Sequence, residues 1–72
     1  MIDLRGIETF YWVATLGGFR AAADKLDLNP SVLSRQIAQL ESQLAITLLE
    51  RHGRGVRPTD AGQVLVNDHR QQ

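Results

Sequence analysis

The sequence predicts a mainly α-helical domain with one small β-hairpin. Three observations carry that prediction. Apolar residues recur at helical spacing in three successive stretches. Glycine or proline punctuation separates those stretches. After the third, two extended-type segments flank a glycine-rich tip.

The first helix is expected over residues 4–16. Asp3 is placed as its N-cap, and Leu4, Ile7, Phe10, Tyr11, Val13 and Ala14 share one face. Gly6 lies near the start, where its helix penalty matters less, and Gly17-Gly18 stop the helix. A second, short helix is expected over residues 19–26. Its three consecutive alanines favour helix and leave a thin surface that another helix can approach. Asp27-Leu28 break the pattern. Asn29 then caps a third helix over residues 30–44, and Pro30 suits its first position because the N–H it lacks would be unpaired there anyway. Leu33, Ile37, Leu40 and Leu44 form the buried stripe of that helix. Ser31, Arg35, Ala38 and Ser42 lie roughly opposite.

Wing strands are expected at about 47–51 and 55–58, around the tip His52-Gly53-Arg54-Gly55. Pro58, which cannot donate to a ladder, ends the second strand. Thr59 caps a last helix over about 59–70, with Ala61, Val64 and Leu65 expected on its inner face. The pattern is still helical at Gln71-Gln72, so residues 59–72 are expected to be the truncated start of a longer helix. Helix, short helix, tight turn, amphipathic helix and basic hairpin is the order of a winged helix-turn-helix, assigned to residues 1–58.

Bulk properties narrow the function classes. A chain of 72 residues suits one small domain, and 43% hydrophobic with 22% charged residues is a globular composition. The absence of cysteine removes disulfide and thiolate-zinc frameworks and fits a reducing cytoplasm. His52 and His69 lie far apart without ligand partners nearby, so neither a metal nor a cofactor is expected. No apolar run approaches a membrane span, and Asp3, Arg5 and Glu8 interrupt any signal-peptide pattern. There is no nucleophile–base arrangement and no phosphate loop after a strand, which argues against an enzyme.

The formal net charge is zero, which by itself favours a winged-helix protein-interaction module that binds no DNA. Position argues the other way. Arg51, His52, Arg54 and Arg57 fall within seven residues, with only Glu50 acidic beside them. On the third helix, Ser31, Ser34 and Ala38 keep the exposed face small enough to sit deep in a major groove. From there Arg35 can reach a guanine edge or a phosphate. The N-terminus of that helix, Pro30–Leu33 with Ser31 and Val32 between, can also bind a phosphate through its free N–H groups. Arg54 between two glycines is placed to approach a narrow minor groove.

Taken together, Leu4, Ile7, Phe10 and Val13-Ala14, then Gly18-Phe19-x-Ala21-Ala22-Ala23, resemble the signature of LysR-type bacterial transcription regulators. Leu33-Ser34-Arg35-Gln36-Ile37, Leu40-Glu41, Glu50-Arg51-x-Gly53-Arg54-Gly55-Val56 and Thr59-x-Ala61-Gly62 extend the resemblance over nearly the whole chain in register. The resemblance implies a homodimer on a partly palindromic promoter, with the third helix in the major groove, the wing at the minor groove and the last helix mediating dimerisation. It also implies that a small-molecule effector acts on a larger C-terminal domain outside this chain. Three departures stand out. Asn29-Pro30-Ser31 replace the usual serine, glutamine and proline. Ala38-Gln39 stand where basic residues are common. Ala45 replaces a glycine before the wing, which predicts a turn without positive φ.

Each candidate has a plainer alternative. Arg35 and Arg54 read equally as solvated charges, Arg51 as a partner of Glu50 or Glu41, and Arg57 as a structural strand residue. Arg20 opens a helix, where its charge opposes the dipole and a nearby phosphate would relieve it. Trp12 reads as core. With Leu16 it also forms a second stripe that the last helix or a partner must cover.

Overall fold

The computed structural model describes residues 4–70, so the Asp3 cap lies outside the described residues. The elements are α1 (Leu4–Leu16), α2 (Phe19–Leu26), α3 (Pro30–Leu44), β1 (Leu49–His52), β2 (Gly55–Pro58) and α4 (Asp60–Arg70). Three helices and a two-stranded antiparallel wing, followed by α4, make a winged helix-turn-helix.

Phe10 and Val13 of α1 meet Leu33, Ile37 and Leu40 of α3, all buried. Ala22 and Ala23 of α2 complete the contact, and their small side chains let α2 lie close, as their composition predicts. Fully burying a leucine or phenylalanine contributes roughly 1.5–3 kcal/mol, so this handful of side chains supplies most of what holds so small a domain together. Leu48, just before the wing, and Val66 of α4 are buried in the same cluster.

Local signals end and start the helices as read. Gly17 at φ +78° closes α1, its N–H donating to Val13 O at 2.9 Å. Asp27 takes the left-handed conformation at the end of α2, and Leu28 N–H returns to Ala23 O at 2.9 Å. The Asn29 carboxamide oxygen accepts the Ser31 N–H at 3.0 Å, with Pro30 in the first turn. Thr59 Oγ1 accepts the Gly62 N–H at 3.1 Å and caps α4.

Three expectations need correction. Ala45 does not avoid positive φ: it sits at φ +58° and caps α3 by donating its N–H to Glu41 O. Tertiary contacts impose the turn, because it delivers Leu48 to the core. There the Glu41 carboxylate accepts the N–H groups of Leu48 at 2.6 Å and Leu49 at 3.3 Å. A left-handed alanine costs roughly 1–2 kcal/mol. Ala45→Gly is therefore expected to stabilise the domain by roughly 0.5–1 kcal/mol after the added freedom of the unfolded chain is counted. A thermal melt showing no gain would contradict this.

The first strand begins at Leu49 rather than near residue 47. The backbone just before it is engaged elsewhere. Thr47 O accepts the Thr59 hydroxyl at 2.6 Å, and Leu48 O accepts the Thr59 N–H at 3.0 Å. The inner face of α4 is also rotated. Gly62 and Val66 face the core, Ala61 and Leu65 are half-buried, and Val64 is 61% exposed. A Cβ on Gly62 would collide with Leu48 O and lie 3.2 Å from the Phe10 ring. Only a glycine fits there, and its position sets the rotation of the helix.

Candidate nucleic-acid interface

On α3 the side chains of Ser31, Ser34, Arg35, Ala38 and Ser42 are exposed, opposite the buried leucine stripe. Pro30 is exposed and Val32 half-buried at its start. The result is a small polar helix face with one arginine, of a size and shape a major groove admits.

The N-terminus of α3 does not offer the free N–H groups expected of it. Pro30 has none, and Ser31 donates to the Asn29 side chain. Val32 and Leu33 donate to Asn29 O at 2.9 and 3.4 Å. The good cap that starts this helix also consumes its donors. The open terminus is that of α2. Its N-cap, Gly18, has no side chain to accept a bond, and Ala22 is the first N–H to bond back, to Gly18 O at 3.3 Å. The N–H groups of Phe19, Arg20 and Ala21 precede it, in the turn that has no intrahelical acceptors. Arg20 is exposed beside them. The sequence signal for this was present and missed: a glycine in the N-cap position leaves donors free for an anion.

In the wing, Glu50 stands directly across from Arg57, and Arg51 from Val56. Glu50 Oε2 accepts both Nε and a terminal nitrogen of Arg57 at 3.1 Å. Arg57 thus already carries a counter-charge. Arg51 does not pair with Glu50 or Glu41: the first holds Arg57, and the second holds the Leu48 and Leu49 backbone. Arg51 and Arg54 are exposed. Arg54 occupies a two-residue turn with Gly53, and positive φ falls only on Gly53 (+60°), the pattern of a type II′ hairpin.

Tertiary folding brings these groups together. One shallow groove runs between α3 and the wing, past Ser34, Ala38 and Arg51. A second joins it at Arg51 and passes Arg54 and Gly18-Phe19 at the start of α2. The zero net charge therefore conceals a segregation. Residues 30–58 hold four arginines and two glutamates, and both glutamates are engaged. The other six carboxylates belong to the remaining segments. That distribution removes the support a neutral total gave to a protein-interaction module.

The candidate dimer residues lie elsewhere. Trp12 is half-buried rather than core. Lys25 Nζ of α2 sits 4.8 Å from its ring, and its indole N–H donates to Glu8 at 3.0 Å. Glu8 also meets His69 Nε2 at 3.0 Å, and the Tyr11 and His69 rings lie 4.7 Å apart, tying α4 to α1. Leu16 and Val64 remain exposed, as does Leu4 at 78%; Leu4 borders a groove with Leu65. Among the described residues no acidic or histidine cluster has the makings of a metal site, and no helix is long and apolar enough to cross a membrane.

Comparison with known proteins gives consistent results. Residues 4–63 match the family described as bacterial regulatory helix-turn-helix protein, lysR family. An uncharacterised HTH-type transcriptional regulator, y4mQ of Sinorhizobium fredii, is 47% identical over 65 residues, covering 90% of this chain and 22% of its own. The HTH-type transcriptional regulator TfdT of Cupriavidus pinatubonensis is 40% identical over 70 residues, covering 97% of this chain and 31% of its own. The chain thus spans less than a third of either relative. Among solved structures, the BenM DNA-binding domain in complex with benA site 1 DNA superposes with a TM-score of 0.89 at 39% identity, covering 96% of this chain and 78% of that one. Full-length CbnR complexed with its target DNA superposes at 0.88 and 36% identity, covering 96% and 24%.

Proposed function

Since the chain belongs to the lysR family of bacterial regulatory helix-turn-helix proteins, we propose that it binds promoter DNA for a transcription regulator, with α3 in the major groove and the wing at the minor groove. One observation carries the reading: nearly the whole chain superposes, at 39% identity, on a domain solved bound to DNA. The exposed faces of α3 and the wing fit it chemically. Ser31, Ser34 and Ala38 let the helix sit deep, with Pro30 and Val32 as apolar contacts at its tip. Arg35 reads a base edge. Arg20 and the open N–H groups of α2 meet a phosphate, joined by Arg51, while Arg54 enters the minor groove. Arg57, held by Glu50, makes the smallest contribution. The reading carries with it a location in the bacterial cytoplasm. No enzymatic role or cofactor is assigned to the domain, and any small-molecule effector acts outside the matched region.

Selection of duplexes from a random pool, followed by affinity measurement, tests this directly. Arg35→Ala is expected to cost about 1–3 kcal/mol on the selected duplex and to relax preference at one base position. Equal losses on selected and random duplex would make Arg35 a phosphate contact instead. Failure to enrich any duplex would end the DNA reading.

The proposal includes a symmetric dimer in which Ala61, Val64 and Leu65 of α4 meet their equivalents, flanked by Trp12 and Leu16 of α1. The outward rotation of Val64 supports it, because an apolar side chain left 61% exposed on the protomer gains by being covered. The strip is short, and it cannot reach the ~1,200 Å² of a stable complex. The expected result is a dimer that dissociates on dilution and is reinforced by DNA with two half-sites, followed by sedimentation over a concentration series. A strict monomer at millimolar concentration, without cooperativity on such DNA, would refute it.

A further inference from the structure

The two glycines beside Arg54 serve the protein's own fold, one through its conformation and the other through packing. Gly53 takes the positive φ of the turn. Gly55 is at an ordinary φ, yet a Cβ there would run into the carbonyl oxygen of Gly17 and lie 3.4 Å from its carbon. That oxygen accepts the Val56 N–H at 3.1 Å. Gly17 is itself at φ +78°, a conformation that side chains resist and that aims this carbonyl at the wing. Val56 stands opposite Arg51 in the pair adjoining the His52–Gly55 closure, where N–H groups point away from the partner strand. Its donor is therefore free to bond outside the ribbon.

A two-stranded ribbon alone is marginal in water. Glu41 and Thr59 grip this one at its base, through Leu48 and Leu49. Neither reaches the tip, which four residues of strand carry roughly 10 Å away. The Gly17 contact is made next to Arg54, at the far end.

We propose that Gly17 and Gly55 form a backbone clasp between the α1–α2 turn and the wing, and that Gly55 is a positioning residue holding Arg54 at the height where it meets DNA. The proposal rests on the DNA-binding reading above. It makes Gly55 a determinant of affinity without any contact of its own with the ligand. A methyl group at position 55 forces the strand away from Gly17 by on the order of 1 Å and breaks the Val56 hydrogen bond. The buried core contains neither glycine; of the displaced residues, Val56 packs against its edge.

The test compares Gly55→Ala, Arg54→Ala and the double variant on a duplex selected by the wild-type protein, with A·T-rich and G·C-rich flanks. Each single variant should bind the A·T-flanked duplex about tenfold more weakly, with a smaller loss on G·C flanks. The double variant should bind no worse than about twofold below either single, because both remove the same interaction. Wild-type affinity in Gly55→Ala, or losses that multiply in the double variant, would overturn the clasp's role. A Gly55→Ala chain without a cooperative melt would assign the contact to folding and overturn it too. Amide exchange supplies a check on the unaltered protein. The Val56 N–H should be protected relative to that of Arg54, and equal rates would refute the clasp. Val56 protection in a wild-type protein that binds no duplex would locate the failure in the DNA reading.

Discussion

Binding of a half-site duplex is expected to weaken roughly 60-fold when monovalent salt is raised from about 50 to about 200 mM. Each phosphate neutralised by an arginine releases close to one condensed counterion, giving about −0.9 in log–log slope per contact. Arg20, Arg51 and Arg54, together with the amide donors at the start of α2, give roughly three contacts and a slope near −3. Arg57 is the informative control. Its guanidinium already faces Glu50 through two 3.1 Å hydrogen bonds, so its removal should leave the slope nearly unchanged. Arg54→Ala should reduce the slope by close to one contact. Affinity that hardly responds to salt would mean that the segregated arginines do not meet phosphates, and would favour the protein-interaction reading instead.

The same substitution in two helices should have opposite effects on stability. Gly6→Ala is expected to stabilise the domain by roughly 0.5–1 kcal/mol, the helix preference of alanine over glycine. The added Cβ would meet Gln36 O at 3.5 Å and Leu40 Cβ at 3.6 Å, ordinary contacts. Gly62→Ala gains the same preference but must push α4 off the Leu48 carbonyl. That carbonyl cannot yield cheaply, because Leu48 is buried and its oxygen holds the Thr59 N–H. Overpacking of this kind costs about 1–3 kcal/mol, sometimes more, and here it also draws Val66 from the core. We expect a net loss of about 2 kcal/mol, or a melting temperature lower by roughly 8–16 °C for a domain of this size. A Gly62→Ala protein as stable as Gly6→Ala would show that α4 slides freely over the core, and the account of its rotation would fail.

Most of the fold was legible because its signals are short-range. The leucine stripe of α3 is a periodicity. As helix caps, Asn29-Pro30, Thr59 and Gly17 act on backbone groups within a few residues of themselves. The arginines of the interface were legible for a related reason. They sit on elements whose exposed faces follow once the buried faces are known, and they lie within a motif that resembles one family along its length.

What the sequence could not determine depended on groups far apart in the chain. Ala45 looks like a residue that avoids the left-handed region, yet the burial of Leu48 and the reach of Glu41 outweigh its local preference. Arg57 rather than Arg51 holds Glu50 because strand register puts it directly opposite. Val64 turned outward because Gly62 is the one position on α4 where the Leu48 carbonyl can approach. The glycines of the wing tip looked suited to a ligand's surface, but the close approach at Gly55 is to Gly17, almost forty residues earlier. Periodicity and capping report which faces and ends a segment has. Which distant atom occupies the space beside a given Cα is decided only when the segments pack, since that space is set by the positions of all of them at once.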